Sequence, residues 1–306
     1  MSRLILSCSA VWCLLACVAA ATAHATDYTR SYIASSIVLP TTNVRTNSFA
    51  IDLDGDNAPD NHLGQVLTVL TGQGFDFDAG TSAAVASGSI VHRVDLLSTD
   101  ASFANDPGAR ATWCVGTPVA VPPLFDGTDN PPCDFISDTF VAALSGGSYT
   151  SPAPATTANR VSLGVEFAIG SANVMLGVLN ARLSFTLDAT GNMPVGQING
   201  SIPQDDMMNI FVPKMAEGCN ASIQSNPSSD MSNACMGFDI GCSAFPGFAG
   251  DGQIEVCELS ENAVIQSLLV PDIQIDDNGS TIYAHSFGFR FTAIAYDRVF
   301  ASGFEP

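Results

Sequence analysis

Residues Met1 to Ala25 constrain what the rest of this chain can fold into, because they read as an export signal. Arg3 gives a positive start, an apolar run extends from Leu4 to Ala23, and Ala23-His24-Ala25 fits the small-x-small pattern that signal peptidase cuts. The mature chain is then expected to begin near Thr26 or Asp27, outside the reducing cytosol, where disulfides and calcium are available. No later stretch is long and apolar enough to cross a bilayer, so no transmembrane segment is expected after cleavage. The expected location is secreted or periplasmic. The alternative is a lipoprotein anchored through Cys17, since Leu14-Leu15-Ala16-Cys17 has the form of a lipobox. Leu15 is unusual at its position, and the apolar run continues past Cys17, which argues for the first route.

The cysteines agree with export. Cys8, Cys13 and Cys17 lie in the signal, leaving Cys114, Cys133, Cys219, Cys235, Cys242 and Cys257. An even set outside the cytosol reads as a disulfide framework of up to three bridges. Proximity suggests Cys114–Cys133 and two bridges within the last four, whose connectivity stays open. Zinc is a poor fit, because there is no C-x-x-C pair and no His close to these cysteines.

Charge excludes one class of partner. The chain has 10 basic and 30 acidic residues, a net charge of −20, and Lys214 is its only lysine. Such a surface repels phosphate backbones, so no nucleic-acid partner is expected. Only six of the acidic residues are Glu. Asp favours turns, caps and metal loops over helix interiors, and with 26 Gly and 17 Pro this points to strands joined by many turns. At 46 % hydrophobic and 13 % charged, the chain is too apolar for disorder.

The periodicity predicts a mainly β protein: an antiparallel, sandwich-like sheet with a few short helices, with α+β as the alternative. Strands are expected at 31–39, 89–97, 161–169, 174–187, 198–202 and 287–292. Val174, Leu176 and Val178 alternate, then Leu179 to Leu187 alternate one residue out of step, which predicts a bulge near Val178-Leu179. Helices are expected over 63–70, 204–218 and 260–269. The expected organisation is a signal peptide (1–25), an N-terminal β region with an Asp-rich loop (26–144), a linker or long loop (145–159), and a C-terminal antiparallel β region (160–306) with a disulfide-rich insert (218–258).

The strongest local motif is Asp52-Leu53-Asp54-Gly55-Asp56-Asn57-Ala58-Pro59-Asp60. Carboxylates at alternate positions of a tight loop converge on one hard cation, and calcium takes six to eight oxygens. This segment resembles the calcium loops of dockerins, thrombospondin type 3 repeats and FG-GAP-type repeats. The resemblance covers about nine residues, and it implies Asp52, Asp54, Asp56 and Asp60 as ligands, with the Ala58 carbonyl as a fifth. Two departures stand out. Asn57 replaces the Gly of the sharp turn, and Leu63 stands where an EF-hand places its bidentate Glu. Asp76 and Asp78 are further candidates for the site, with solvated strand-edge charges the plainer expectation. The stretch Ile51 to Leu67 and the tail Asp297 to Glu305 (D-R-V-F-A-S-G-F-E) are similar to segments of uncharacterised exported bacterial proteins, which implies an envelope or extracellular setting and no particular activity.

Catalytic patterns are scarce. His62, His92 and His285 fall in no metal or triad spacing, and there is no G-x-S-x-G elbow or P-loop. The pairs Asp205-Asp206 and Asp276-Asp277 read as caps or turns before they read as glycosidase acids. The function expected from the sequence is an exported, non-enzymatic binding or structural protein of the bacterial envelope or exterior, stabilised by calcium and meeting an envelope component or glycan. One alternative is a carrier of a lipid or other apolar ligand, suggested by Phe287, Phe289 and Phe291 with Met175, Met207, Met208 and Met215. The other is a secreted hydrolase using Asp and Glu.

Overall fold

The computed structural model describes residues 26–153, 159–166, 173–244, 247, 249–277, 279–296 and 300–301. The signal, the Cys17 lipobox, residues 167–169 of the strand expected at 161–169 and most of the C-terminal tail lie outside these residues. The strands are β1 (Tyr28–Val38), β2 (Val91–Ser98), β3 (Asn105–Gly116), β4 (Phe135–Ile136), β5 (Phe140–Ser145), β6 (Ser148–Thr150), β7 (Val161–Val165), β8 (Val174–Thr186), β9 (Met193–Pro203), β10 (Ile273–Asp277), β11 (Ser280–Ala295) and β12 (Phe300–Ala301). The helices are α1 (Asn43–Phe49), α2 (His62–Gly72), α3 (Phe77–Ser87), α4 (Gln204–Asp206), α5 (Val212–Ser225), α6 (Asp230–Met236), α7 (Val256–Glu261) and α8 (Ala263–Leu268), with one π-helical stretch, Met207–Phe211, joining α4 to α5.

The protein is mainly β and antiparallel. Its sheet also closes on itself, which the periodicity does not reveal. Going round, β1 pairs with β2, β2 with β3, β3 with β5, β5 with β6, β6 with β8, β8 with β9, β9 with β11, and β11 returns to β1. Closure removes the edges of the ring itself, which would otherwise template aggregation, and leaves β4, β7, β10 and β12 outside it. β10 pairs with the start of β11, and β1 pairs with its end. Between those two partners, side chains take over from the ladder. Ser286 N–H donates to the Asp272 carboxylate at 2.8 Å, and Gly288 N–H donates to Asn61 Oδ1 at 3.2 Å.

The strands of the N-terminal and C-terminal regions therefore share one hydrogen-bonded ladder. Ser148–Thr150, inside the stretch read as a linker, is β6 and stands between β5 and β8.

Aromatic rings fill the enclosed face. Trp113 packs edge-on to Phe291 and Phe289, with centroids 5.0 and 5.9 Å away, and Tyr149 stacks on Phe185 at 4.7 Å. Gly196 lies opposite Phe291 on one side and Phe185 on the other. A Cβ there would fall 2.2 Å from the Phe291 ring, so only glycine fits beneath that aromatic. The expected bulge in β8 is present as a register shift between Leu179 and Arg182, with Asn180 left-handed at φ 53°. There β8 changes partner. Val174 to Val178 pair with β7, and the residues from Leu179 onward pair with β9.

All three disulfides are present: Cys114–Cys133, Cys219–Cys235 and Cys242–Cys257. The first staples the Pro-rich 115–132 loop at its base, as expected. The insert is partly helical, with Cys219 on α5 tied to Cys235 on α6. Its other half is held by the buried Glu258 carboxylate, which accepts Gly241 N–H at 2.6 Å and Glu255 N–H at 2.9 Å. No helix of the described residues is long and apolar enough to cross a membrane.

Phe291→Ala should cost ~3–5 kcal/mol of unfolding free energy, the usual price of truncating a buried aromatic. Gly196→Ala should cost ~1–3 kcal/mol by overpacking. In the Phe291→Ala background most of the Gly196→Ala cost should vanish, and a double-mutant cycle by urea denaturation measures that coupling.

Candidate metal centre

The Asp-rich loop is pinched at its base and seated on the outside of the sheet. Asp60 N–H donates to the Ile51 carbonyl at 2.8 Å, closing an isolated antiparallel bridge. Leu53 turns inward and packs with Leu179, Ile273, Ile275 and Ala284 in a small second apolar cluster. Arg182, beside the β8 bulge, donates to the Asp52 carbonyl at 3.0 Å and the Leu53 carbonyl at 3.4 Å. An apolar anchor and a guanidinium thus fix the loop from below.

Inside the loop the carboxylates organise the backbone. Asp52 accepts N–H groups from Gly55 at 2.6 Å and Asn57 at 3.0 Å, and Asp54 accepts Asp56 N–H at 3.1 Å. Asp60 accepts Leu53 N–H at 2.7 Å. Gly55 and Asn57 are both left-handed, at φ 89° and 70°. Asn57 therefore takes the turn conformation that a glycine takes in the loops it resembles, as Asn is able to do.

Asp52, Asp54 and Asp60 bring carboxylate oxygens within 4.8 Å of one another. Asp56 stands outside that triplet, and its carboxylate accepts Ala58 N–H at 2.7 Å. Among the described residues the ion pairs are Arg45–Asp78, Arg93–Asp95, Arg110–Asp27, Arg160–Asp277 and Lys214–Glu217, so the triplet has no cationic side chain of its own. Burial raises the Asp60 carboxyl above its ordinary value. The Leu53 N–H opposes that shift, and repulsion from Asp54 and Asp272 adds to it.

The structure corrects the reading of Asp76 and Asp78. Neither is a strand-edge charge, and neither joins the triplet. Asp76 caps α3 by accepting Ala79 N–H at 3.0 Å, and Asp78 in the first turn holds Arg45 and the Thr41 hydroxyl. The strand expectation missed α3 because its apolar face is carried largely by small residues.

His92 and His285 are buried in the scaffold, and His62 is half-buried. His92 accepts Gly164 N–H through Nε2 at 3.0 Å and lies 5.0 Å from the Trp113 ring, and burial lowers it to about 3. His285 meets Gln204 Oε1 at 2.5 Å and stacks on His62, and burial followed by the His62 charge lowers it to about 4. Ser286 is hydrogen-bonded to Asp272, but it accepts from the His62 backbone N–H rather than from an imidazole. The acidic pairs are likewise engaged. Asp205 and Asp206 lie in the first turn of α4, Asp276 accepts Gly279 N–H at 2.7 Å, and Asp277 pairs with Arg160 at 2.6 Å.

The aromatic and Met residues behind the carrier alternative are largely spent on packing. Phe287, Phe289, Phe291, Met207 and Met215 are buried in the main core, Met208 packs against it, and Met175 is exposed. Sequence reasoning missed Arg182, whose only signal was a lone basic residue in an apolar alternating strand.

Comparison with known proteins finds no matching family model, no matching curated protein and no matching solved structure.

A carboxyl raised in the folded state contributes stability below its unfolded value, near 4, and loses that contribution as pH rises through the folded value. Asp60→Asn keeps the acceptor for Leu53 N–H and removes the charge. In chelator it should therefore unfold at a higher temperature than wild type at neutral pH. The difference should shrink as pH falls through the carboxylate range, as calorimetry at a series of pH values would show.

Proposed function

We propose that this chain is an exported, non-enzymatic binding or structural protein of the bacterial envelope or exterior, with calcium bracing the Asp52–Asp60 loop. The observation that carries the reading is the triplet of carboxylates held within 4.8 Å of one another, with no ion pair to them among the described residues. Like charges this close raise one another's pKa unless a cation compensates them, and an all-oxygen set with water completing the shell suits a hard divalent ion. Asp52, Asp54 and Asp60 are the first ligands in this reading. Asp56 and the Ala58 carbonyl complete the set once the Asp56–Ala58 hydrogen bond rearranges.

Three disulfides point to an oxidising compartment outside the cytoplasm. The signal-like N-terminus and the tail resemblance favour secretion or the periplasm over an anchor at Cys17. Envelope components and glycans are the partners consistent with a charge of −20, and nucleic acid is not.

A ligand that binds only the folded state at about a hundred times its Kd adds ~2.7 kcal/mol of stability. Calcium at that excess should raise the melting temperature of the chelator-treated protein, and Asp60→Asn and Asp54→Asn should abolish the rise. An unchanged melting temperature in calcium and in chelator would sink the calcium reading.

A further inference from the structure

Away from the Asp loop, toward the other end of β8, three hairpin turns gather round one mouth of the closed sheet. They are the β2–β3 turn with Phe103, the β5–β6 turn with Gly146 and Gly147, and the β8–β9 turn with Asp188 and Gly191. Together with Arg30 of β1 they line a concavity of about 430 Å³. That lies within the ~300–1,000 Å³ usual for small-molecule sites, which favour the mouths of β-barrels.

Arg30 is the unusual member. It sits two residues before Tyr32, whose side chain is fully buried, so the strand's alternation directs Arg30 to the enclosed face. Its guanidinium lies 4.6 Å over the centre of the Phe103 ring. On another side it meets Gly191, where a Cβ would come within 2.6 Å of Nη1. Gly191 at φ 81° thus provides both the turn and the room. Phe103 is itself left-handed at φ 54°, a conformation that bulky residues rarely adopt, and it is buried. The chain therefore holds a strained Phe and an obligatory Gly in place around one guanidinium.

Among the described residues that guanidinium has no carboxylate partner. Arg45, Arg93, Arg110 and Arg160 are each paired with an Asp, while Arg182 and Arg290 donate to backbone carbonyls. Among the described arginines, only Arg30 makes neither an ion pair nor a hydrogen bond to a carbonyl. Acidic residues outnumber basic ones three to one in this protein (30 to 10), yet the polar neighbour of this partly buried arginine is the Tyr32 hydroxyl and not a carboxylate of the described residues. The acid that lines the pocket is tied into its own turn, since Asp188 Oδ1 accepts Thr190 N–H at 2.9 Å, the Thr190 hydroxyl at 2.6 Å and Asn192 N–H at 3.0 Å.

We propose that this pocket binds a small organic monocarboxylate, with its carboxylate on the Arg30 guanidinium. A planar guanidinium fork matches a carboxylate, and one cation balances one negative charge. A dianionic phosphate would leave a second charge facing Asp188 and the surrounding −20 field. This goes beyond the calcium reading, and the two sites fail or stand separately.

The test is saturation-transfer NMR on the mature protein with glucuronate, N-acetylalaninate and benzoate, each set against its uncharged amide. At least one carboxylate should bind, and its amide should bind about tenfold or more weakly, the weight of one charge-assisted contact. Arg30→Gln should weaken the carboxylate by a similar factor. Ala189→Asp, at an exposed position of the same rim, should do so by repulsion and serves if Arg30→Gln fails to fold. Asp60→Asn should bind the carboxylate as wild type does, whether or not calcium proves to be a ligand. Binding by none of the carboxylates, equal binding of acid and amide, or wild-type affinity in folded Arg30→Gln or Ala189→Asp would overturn the proposal.

Discussion

The return of β11 to β1 is the pairing on which the rest of the structure depends. Among the described residues β11 is the longest strand, with β9 along one edge and both β10 and β1 along the other. Its Phe287, Phe289 and Phe291 reach the enclosed core, while its opposite face takes α1 and α2. Gly288 permits that approach, because a Cβ there would lie 2.3 Å from the Phe49 carbonyl oxygen and the Asn199 amide. Joining β1 to β11 brings together residues some 250 positions apart, such as Ile37 and Phe291. Contacts this distant in sequence make folding slow, which gives the disulfides value in holding local segments meanwhile.

Closure also sorts the functional features. The Asp loop rests where β8 changes partner, and the Arg30 pocket sits where the three hairpins turn. Each is built on strands that the ring fixes, and each contains left-handed backbone: at Gly55 and Asn57 in the first, and at Gly191 and a strained Phe103 in the second. Much of the acidity has local work. The Asn105 N–H, the Ser102 hydroxyl and further turn amides hold the Asp100 carboxyl down at about 2, and the Thr128 hydroxyl lowers Asp126. The Asp52–Asp54–Asp60 triplet differs in having neighbouring carboxylates to contend with as well as amides to accept.

The sequence was most legible where side chains alternate. β8, its slip near Leu179, β9 and β11 follow from one buried face repeated every second residue. The Asp loop was legible because its spacing is itself a turn code. The Cys114–Cys133 pair follows from its proximity in sequence, whereas the pairing among Cys219, Cys235, Cys242 and Cys257 is settled only by the fold. What stayed hidden depends on partners far away in sequence. β3 begins with polar Asn105-Asp106-Pro107-Gly108 and shows little alternation until Ala109. α3 is rich in Ala, Ser and Gly and has almost no apolar stripe. Ring closure is a property of pairing that no single strand encodes. Arg30 carries no signal of its own in the sequence, because the Phe103 ring beneath it is far away along the chain.

Hydrogen–deuterium exchange resolved to single amides tests the closed ring most directly. The account predicts that the β1 amides paired with β11, such as those near Ile33 and Ile37, exchange as slowly as the β9 and β11 core and share its unfolding free energy. Fast, independent exchange of β1 while β9 and β11 stay protected would mean that the sheet is open at that seam. The shared placement of both sites on a closed scaffold would then fail with it.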